Sequence, residues 1–158
     1  MISIEELERR MQPGAYSVKG FLGVGEKLTV ITERDRSVLK ELGLSYELIA
    51  GRLDELLAAS IEVRKEKVVV GQFEIRLERF RGFQLCPWSQ EPDFQQCKMG
   101  SGVQYGSIDW EITNRKIKRS LSGPGLIVHL VRDHHFFEGL GSPYRVDPLQ
   151  LAQLLELA

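Results

Sequence analysis

The chain is poor in the residues that soft-metal chemistry or a disulfide framework draws on, with two cysteines and three histidines in 158 residues. It also lacks any window near the ~18 consecutive apolar residues of a membrane-spanning helix. Its N-terminus, MISIEELERRMQPG, has no apolar segment of signal-peptide length and is acidic where such a leader is basic, which argues against secretion. Charge of one sign is missing too, with 21 basic and 22 acidic side chains, so no overall field draws the chain to nucleic acid or anionic lipid. These absences predict a soluble cytoplasmic protein with no membrane partner, whose thiols are reduced or metal-bound rather than joined.

What is present is enough apolar material for a core. At 42% hydrophobic content, a chain of this length buries roughly 70% of the surface its unfolded form exposes. Folding therefore needs neither metal nor disulfide, and any metal site has to be argued from ligand placement.

Periodicity divides the chain into three. Ser3 and Glu6 match a capping box opening a short helix that ends at Pro13-Gly14. Glu26 to Leu42 shows apolar residues at helical spacing with a break expected near Asp35, and Gly43 is the expected stop. Ser45 caps the clearest helix, YELIAGRLDELLAA, with a stripe of Leu48, Ile49, Leu53, Leu56 and Leu57. Gly51 inside it suggests close approach of a neighbour. Beyond Ser60 the period falls to 2: Lys67 to Val70, a Gly71 turn, Phe73 to Leu77 with a bulge or strand end at Arg79-Phe80, then Val103 to Ile112 and a return through Ile117 and Leu121. Asp147 and Pro148 introduce a closing helix. This order predicts one α+β domain over 1–158: mainly helical over 1–60, strand over 66–121, helical over 124–158. An N-terminal helical layer would pack on an antiparallel sheet of about five strands, with C-terminal helices closing it.

The five soft ligands fall in two tracts. LCPWSQEPDFQQC carries Cys86 and Cys97, and LIVHLVRDHHFFEG carries His129, His134 and His135. Two thiolates and two imidazoles would hold zinc with no net charge left over. The cysteine spacing is wider than the two to four residues of most structural zinc sites. The period also bears on the histidines: on a helix His129 and His134 point about 140° apart and cannot serve one ion, whereas a strand followed by a turn would let them meet. Pro124 and Gly139 favour the helix, and LIVHLV favours the strand. Asp133 and Glu138 are candidates to orient the rings. The same residues permit bland readings: Cys86 as a small buried hydrophobe, His129 as a core histidine bonded to Asp133, and His134-His135 at a helix C-terminus.

A catalytic reading uses the same groups, with His129 or His134 as base, Asp133 as its orienter and Cys86 as a thiol nucleophile. Tyr144 and Arg145, in the stiff loop GSPYRVDP, and Arg132 are candidate binding residues for a protein partner or small molecule. KGFLGVGEKL lacks the glycine directly before lysine that a phosphate loop needs. LGLSYELIAGRL resembles the first helix of a helix-turn-helix unit, but the helix runs on into strand and no DNA-reading helix follows. Arg115, Lys116, Lys118 and Arg119 could meet phosphates, although no aromatics interleave to stack bases. The expected function is a binding or accessory domain with a zinc site, the alternatives being a small hydrolase and a nucleic-acid binder. No oligomeric state is encoded in these patterns.

Overall fold

The computed structural model describes residues 2–81, 84–89 and 105–158. Three helices come first: α1 (Ile4–Met11), α2 (Leu28–Leu42) and α3 (Tyr46–Val63). The side chains of Ser3 and Ser45 accept the amides of Glu6 and Leu48, as their capping positions require. Gly43 closes α2 in the left-handed region at φ 68°. Glu6 does not reach back to its cap; its carboxylate pairs with Arg9 and Arg10 one turn on.

Four antiparallel strands follow in the order β1 (Lys67–Val70), β2 (Phe73–Arg79), β3 (Ile108–Asn114), β4 (Arg119–Pro124). The expectation of about five strands is corrected to four among the described residues, in the same α+β class. Val70 pairs with Phe73 across a two-residue turn, where Gly71 supplies φ 59°. β2 and β3 pair from Phe73↔Asn114 to Arg79↔Ile108. Ile75 and Leu77 therefore share a face with Ile108, Trp110 and Ile112, and all five are buried. That face packs under α3 and joins a core running from Leu7 to Leu155.

The last third holds α4 (Ile127–His134) and α5 (Pro148–Leu154), the latter capped by Asp147 with Pro148 in its first turn. LIVHLV is thus helical, its apolar residues buried against α3 and the sheet.

Three expectations fail. α2 does not break at Asp35, because Arg145 holds that carboxylate with both Nη–Oδ distances at 2.8 Å and so neutralises a buried charge inside the helix. Among the described residues nothing lies within 4 Å of the Cβ that Gly51 lacks, so none of them demands glycine there. Leu48 also leaves the predicted stripe, at 41% exposure.

Long-range order between the N-terminal loop and the loop after α4 comes from Glu26. Its carboxylate accepts the backbone amides of Gly23, Leu140 and Gly141 at 2.8, 2.7 and 3.1 Å. A Cβ on Gly141 would sit 2.6 Å from the Gly23 Cα, so the two chains touch backbone to backbone. The three glycines of KGFLGVGEKL serve this junction and its turns.

Candidate metal centre

Cys86 lies on the segment 84–89, which is anchored from two sides. The Gln84 amide donates to Gly106 O at 2.8 Å, and Ser89 N donates to Cys86 O at 3.0 Å to close a turn. Arg10 reaches over from α1, its Nη1 donating to the carbonyls of Pro87 at 2.8 Å and Ser89 at 2.6 Å. One guanidinium thereby gathers a short segment whose carbonyls would otherwise need water. The turn buries the Cys86 thiol completely.

The segment meets α4. A sulfur of Cys86 and one ring nitrogen each of His129 and His134 all lie within 4.8 Å of one another. The rings of His129 and His134 stand edge to face with centroids 5.0 Å apart. Trp88 lies flat on His134, centroids 4.1 Å apart and planes 4° from parallel. Behind His129, one turn along the helix, Asp133 places Oδ2 2.7 Å from Nδ1. His129 is 1% exposed, whereas the Asp133 side chain is 43% exposed, so a partly hydrated carboxylate lies beside a buried ring.

The helix does not separate the two histidines as the ideal period demands. The His135 amide donates to Leu130 O as well as Val131 O, and Phe136 N reaches back to Leu130 O at 3.1 Å. These bonds, with His135 left-handed at φ 56°, close the helix just beyond His134. Side chains also lean toward the helix N-terminus, which brings the His134 ring back over the preceding turn.

The structure brings together Cys86, His129, His134 and Asp133 and leaves other candidates elsewhere. His135 takes a left-handed conformation at φ 56° and stacks on Tyr46 with centroids 4.0 Å apart, outside the cluster. Glu138 does not orient an imidazole; it is buried with Oε1 2.9 Å from Ser142 Oγ. Arg145 is engaged by Asp35 and by the carbonyl of Glu138 at 2.7 Å. Arg132 sits at the rim, 3.9 Å from Asp54 and 3.7 Å from Asp133. Tyr144 lines a separate cavity. Cys97 lies outside the described residues. In the basic turn, Lys116 pairs with Glu156 at 3.2 Å and Arg119 donates to Gln153 at 2.5 Å, so two of its four charges are tied to the C-terminal helix region.

Arg10, Trp88 and Tyr46 were not singled out from the sequence. Trp88 carried a signal, being two positions from Cys86; Arg10 carried none, since its carbonyl partners lie 77 and 79 positions away.

Among the described residues no helix is long and apolar enough to cross a membrane. The chain matches no protein family, no curated protein and no solved structure, so its function has to be read from this centre.

Proposed function

We propose that the chain is a metal-binding module in which one zinc ion is held by the Cys86 thiolate and the His129 and His134 imidazoles. The observation that carries this reading is the convergence of those three donor atoms within 4.8 Å. Zinc ligands at about 2.0–2.3 Å stand roughly 3.3–3.8 Å from one another in a tetrahedron. Small side-chain rotations would close the difference. Binding takes the Cys86 thiol proton to solvent, leaving a thiolate and two neutral rings around the dication. Asp133 on Nδ1 of His129 leaves Nε2 for the ion and supplies the carboxylate that ligating histidines commonly have behind them. Cys97 is the sequence's candidate for the fourth position, which would close the site and make it structural. The ion would then clamp the segment 84–89 onto α4, consistent with the burial of Cys86 and His129. The module would act as a binding or accessory domain.

The test is metal content of untagged protein purified from zinc-supplemented medium. Near one zinc per chain is expected, lost in Cys86→Ser and in His129→Ala. Metal-free protein with undiminished thermal stability overturns the reading. Cys97→Ser separates a closed four-ligand site, which would lose zinc affinity, from a three-ligand site with an open position, which would not.

A second reading rests on the 2.7 Å contact of His129 with Asp133. Cys86, His129 and Asp133 would form a thiol nucleophile, its base and the orienting acid of a small hydrolase. Complete burial of Cys86 weighs against it. Rapid alkylation of Cys86 by iodoacetamide in zinc-depleted, folded protein would favour the hydrolase over the metal site.

A further inference from the structure

A cavity of about 290 Å³ opens at the end of the sheet, between β2, β3, the Tyr105–Ser107 turn and the loop after α4. Its walls combine two kinds of surface. Phe21, Phe80, Tyr105 and Tyr144 give four aromatic rings, while Glu78, Asp109 and Glu138 give three carboxyl groups, and no lysine or arginine is among the described residues that line it.

The three acids are in different states. Ser142 Oγ lies 3.0 Å from Gly20 O, 2.9 Å from Glu138 Oε1, and accepts the Tyr144 amide at 3.2 Å. A hydroxyl has one proton, and a carbonyl can only accept. That proton serves only one of the two acceptors: given to Glu138 it stabilises a carboxylate, and given to Gly20 it leaves Glu138 to donate as a neutral acid, the arrangement that burial favours. Burial pushes the Glu138 carboxyl up to about 8, in agreement. Glu138 also holds φ 68°, an uncommon and costly conformation for a residue with a Cβ.

Glu78 and Asp109 are directly opposite each other in the β2–β3 ladder. Like charges at paired positions are destabilising. Burial, and then the Glu78 charge, push the Asp109 carboxyl above its usual range. On another wall, Nε2 of Gln84 is buried with no hydrogen-bond partner among the described residues. Each feature is a cost that the bare protein carries, and each is relieved by the same kind of molecule.

We propose that this cavity binds a small organic ammonium compound, with an apolar or aromatic body and one hydrogen-bond acceptor. The ammonium group sits between Glu78 and Asp109, the body lies among the aromatic rings, and the acceptor takes the Gln84 amide proton. Aromatic faces add cation–π attraction to the carboxylate charge. Burial disfavours charge on Glu138, so the ligand's ammonium is met mainly by Glu78 and Asp109. The volume sits at the small end of ligand pockets, which suits a ligand of amino-acid-amide size. The outer face of the sheet continues from the mouth as a more polar groove that includes Arg76, Glu111 and Ser122, giving solvent access.

The test is calorimetric and NMR titration of the full chain at neutral pH with phenethylamine, tyramine and phenylalaninamide. The neutral control is N-acetylphenylalaninamide. Saturable binding of at least one amine tighter than about 1 mM is expected, weakened at least about tenfold in Asp109→Asn and in Glu78→Gln. Glu111→Gln, on the outer groove, should leave it unchanged. Because Glu78 is exposed, its variant folds even if the Asp109 change is disruptive. Absence of saturable binding by all three amines, equal binding of the neutral control, or indifference to Glu78→Gln overturns the proposal.

Discussion

Asp35 and Arg145 meet across 110 positions of chain, both guanidinium–carboxylate distances being 2.8 Å, with side chains 3% and 10% exposed. This fork joins the middle of α2 to the loop before α5. Removing one partner of such a pair strands the other's charge, whereas removing both does not. Arg145→Met should therefore lower unfolding free energy by about 3–5 kcal/mol. Asp35→Leu combined with Arg145→Met should recover a large part of it, short of the hydrogen bond lost to the Glu138 carbonyl. Urea denaturation of the three proteins measures both differences; a double variant as unstable as the single one would contradict the assignment.

Glu138 sets a pH dependence of opposite slope to that of most carboxylates. Its folded-state pKa, about 8, lies above the value of 4.5 expected when unfolded. In that window the native state binds the extra proton. Its contribution is complete below the unfolded pKa and declines as pH rises through the window, at up to about 1.4 kcal/mol per pH unit. Glu138→Gln keeps a donor toward Ser142 and should flatten the decline between pH 5 and 8, in thermal melts of both proteins across about that range.

Asp133→Asn removes the charge behind His129 without changing the shape of the side chain. Under the metal-site proposal zinc affinity should fall by about 10- to 100-fold while the metal-free fold keeps its stability. Competition with a chromogenic chelator gives the affinity. Trp88→Ala should weaken binding in the same assay by freeing the His134 ring.

Gly51→Ala should stabilise the protein by about 0.5–1 kcal/mol, since the site has room for a methyl group and α3 gains helix propensity. A shift of the chemical denaturation midpoint to higher urea checks it; a downward shift would mean that a neighbour does close on that position.

Local rules made most of the scaffold readable. Ser3, Ser45 and Asp147 announced helix starts because a cap acts within three residues, and Ile108, Trp110 and Ile112 announced a buried face because alternation is a nearest-neighbour property. The failures were long-range or terminal. Nothing adjacent to Asp35 shows that Arg145 will neutralise it, and α2 was expected to break there. The grouping of the soft ligands in two tracts pointed to the right segments. The ideal helical period then argued against the convergence of His129 and His134, which the structure brings within 4.8 Å with Cys86 at the end of α4. Cys97 lies outside the described residues, and the acidic cavity was invisible because its walls come from five separated stretches of chain.

The grip of Glu26 on three loop amides has a dynamic consequence. Exposed loops ordinarily exchange their amide hydrogens within seconds, yet Gly23, Leu140 and Gly141 each donate to one carboxylate that also tethers the others. None can open alone without the remaining two losing their common acceptor's position. The segments near residues 23 and 140 are thereby tied together, and Glu26→Gln, which keeps one acceptor oxygen of the two, would speed amide exchange at these positions while the Gly139 N–Phe21 O bond still joins the segments.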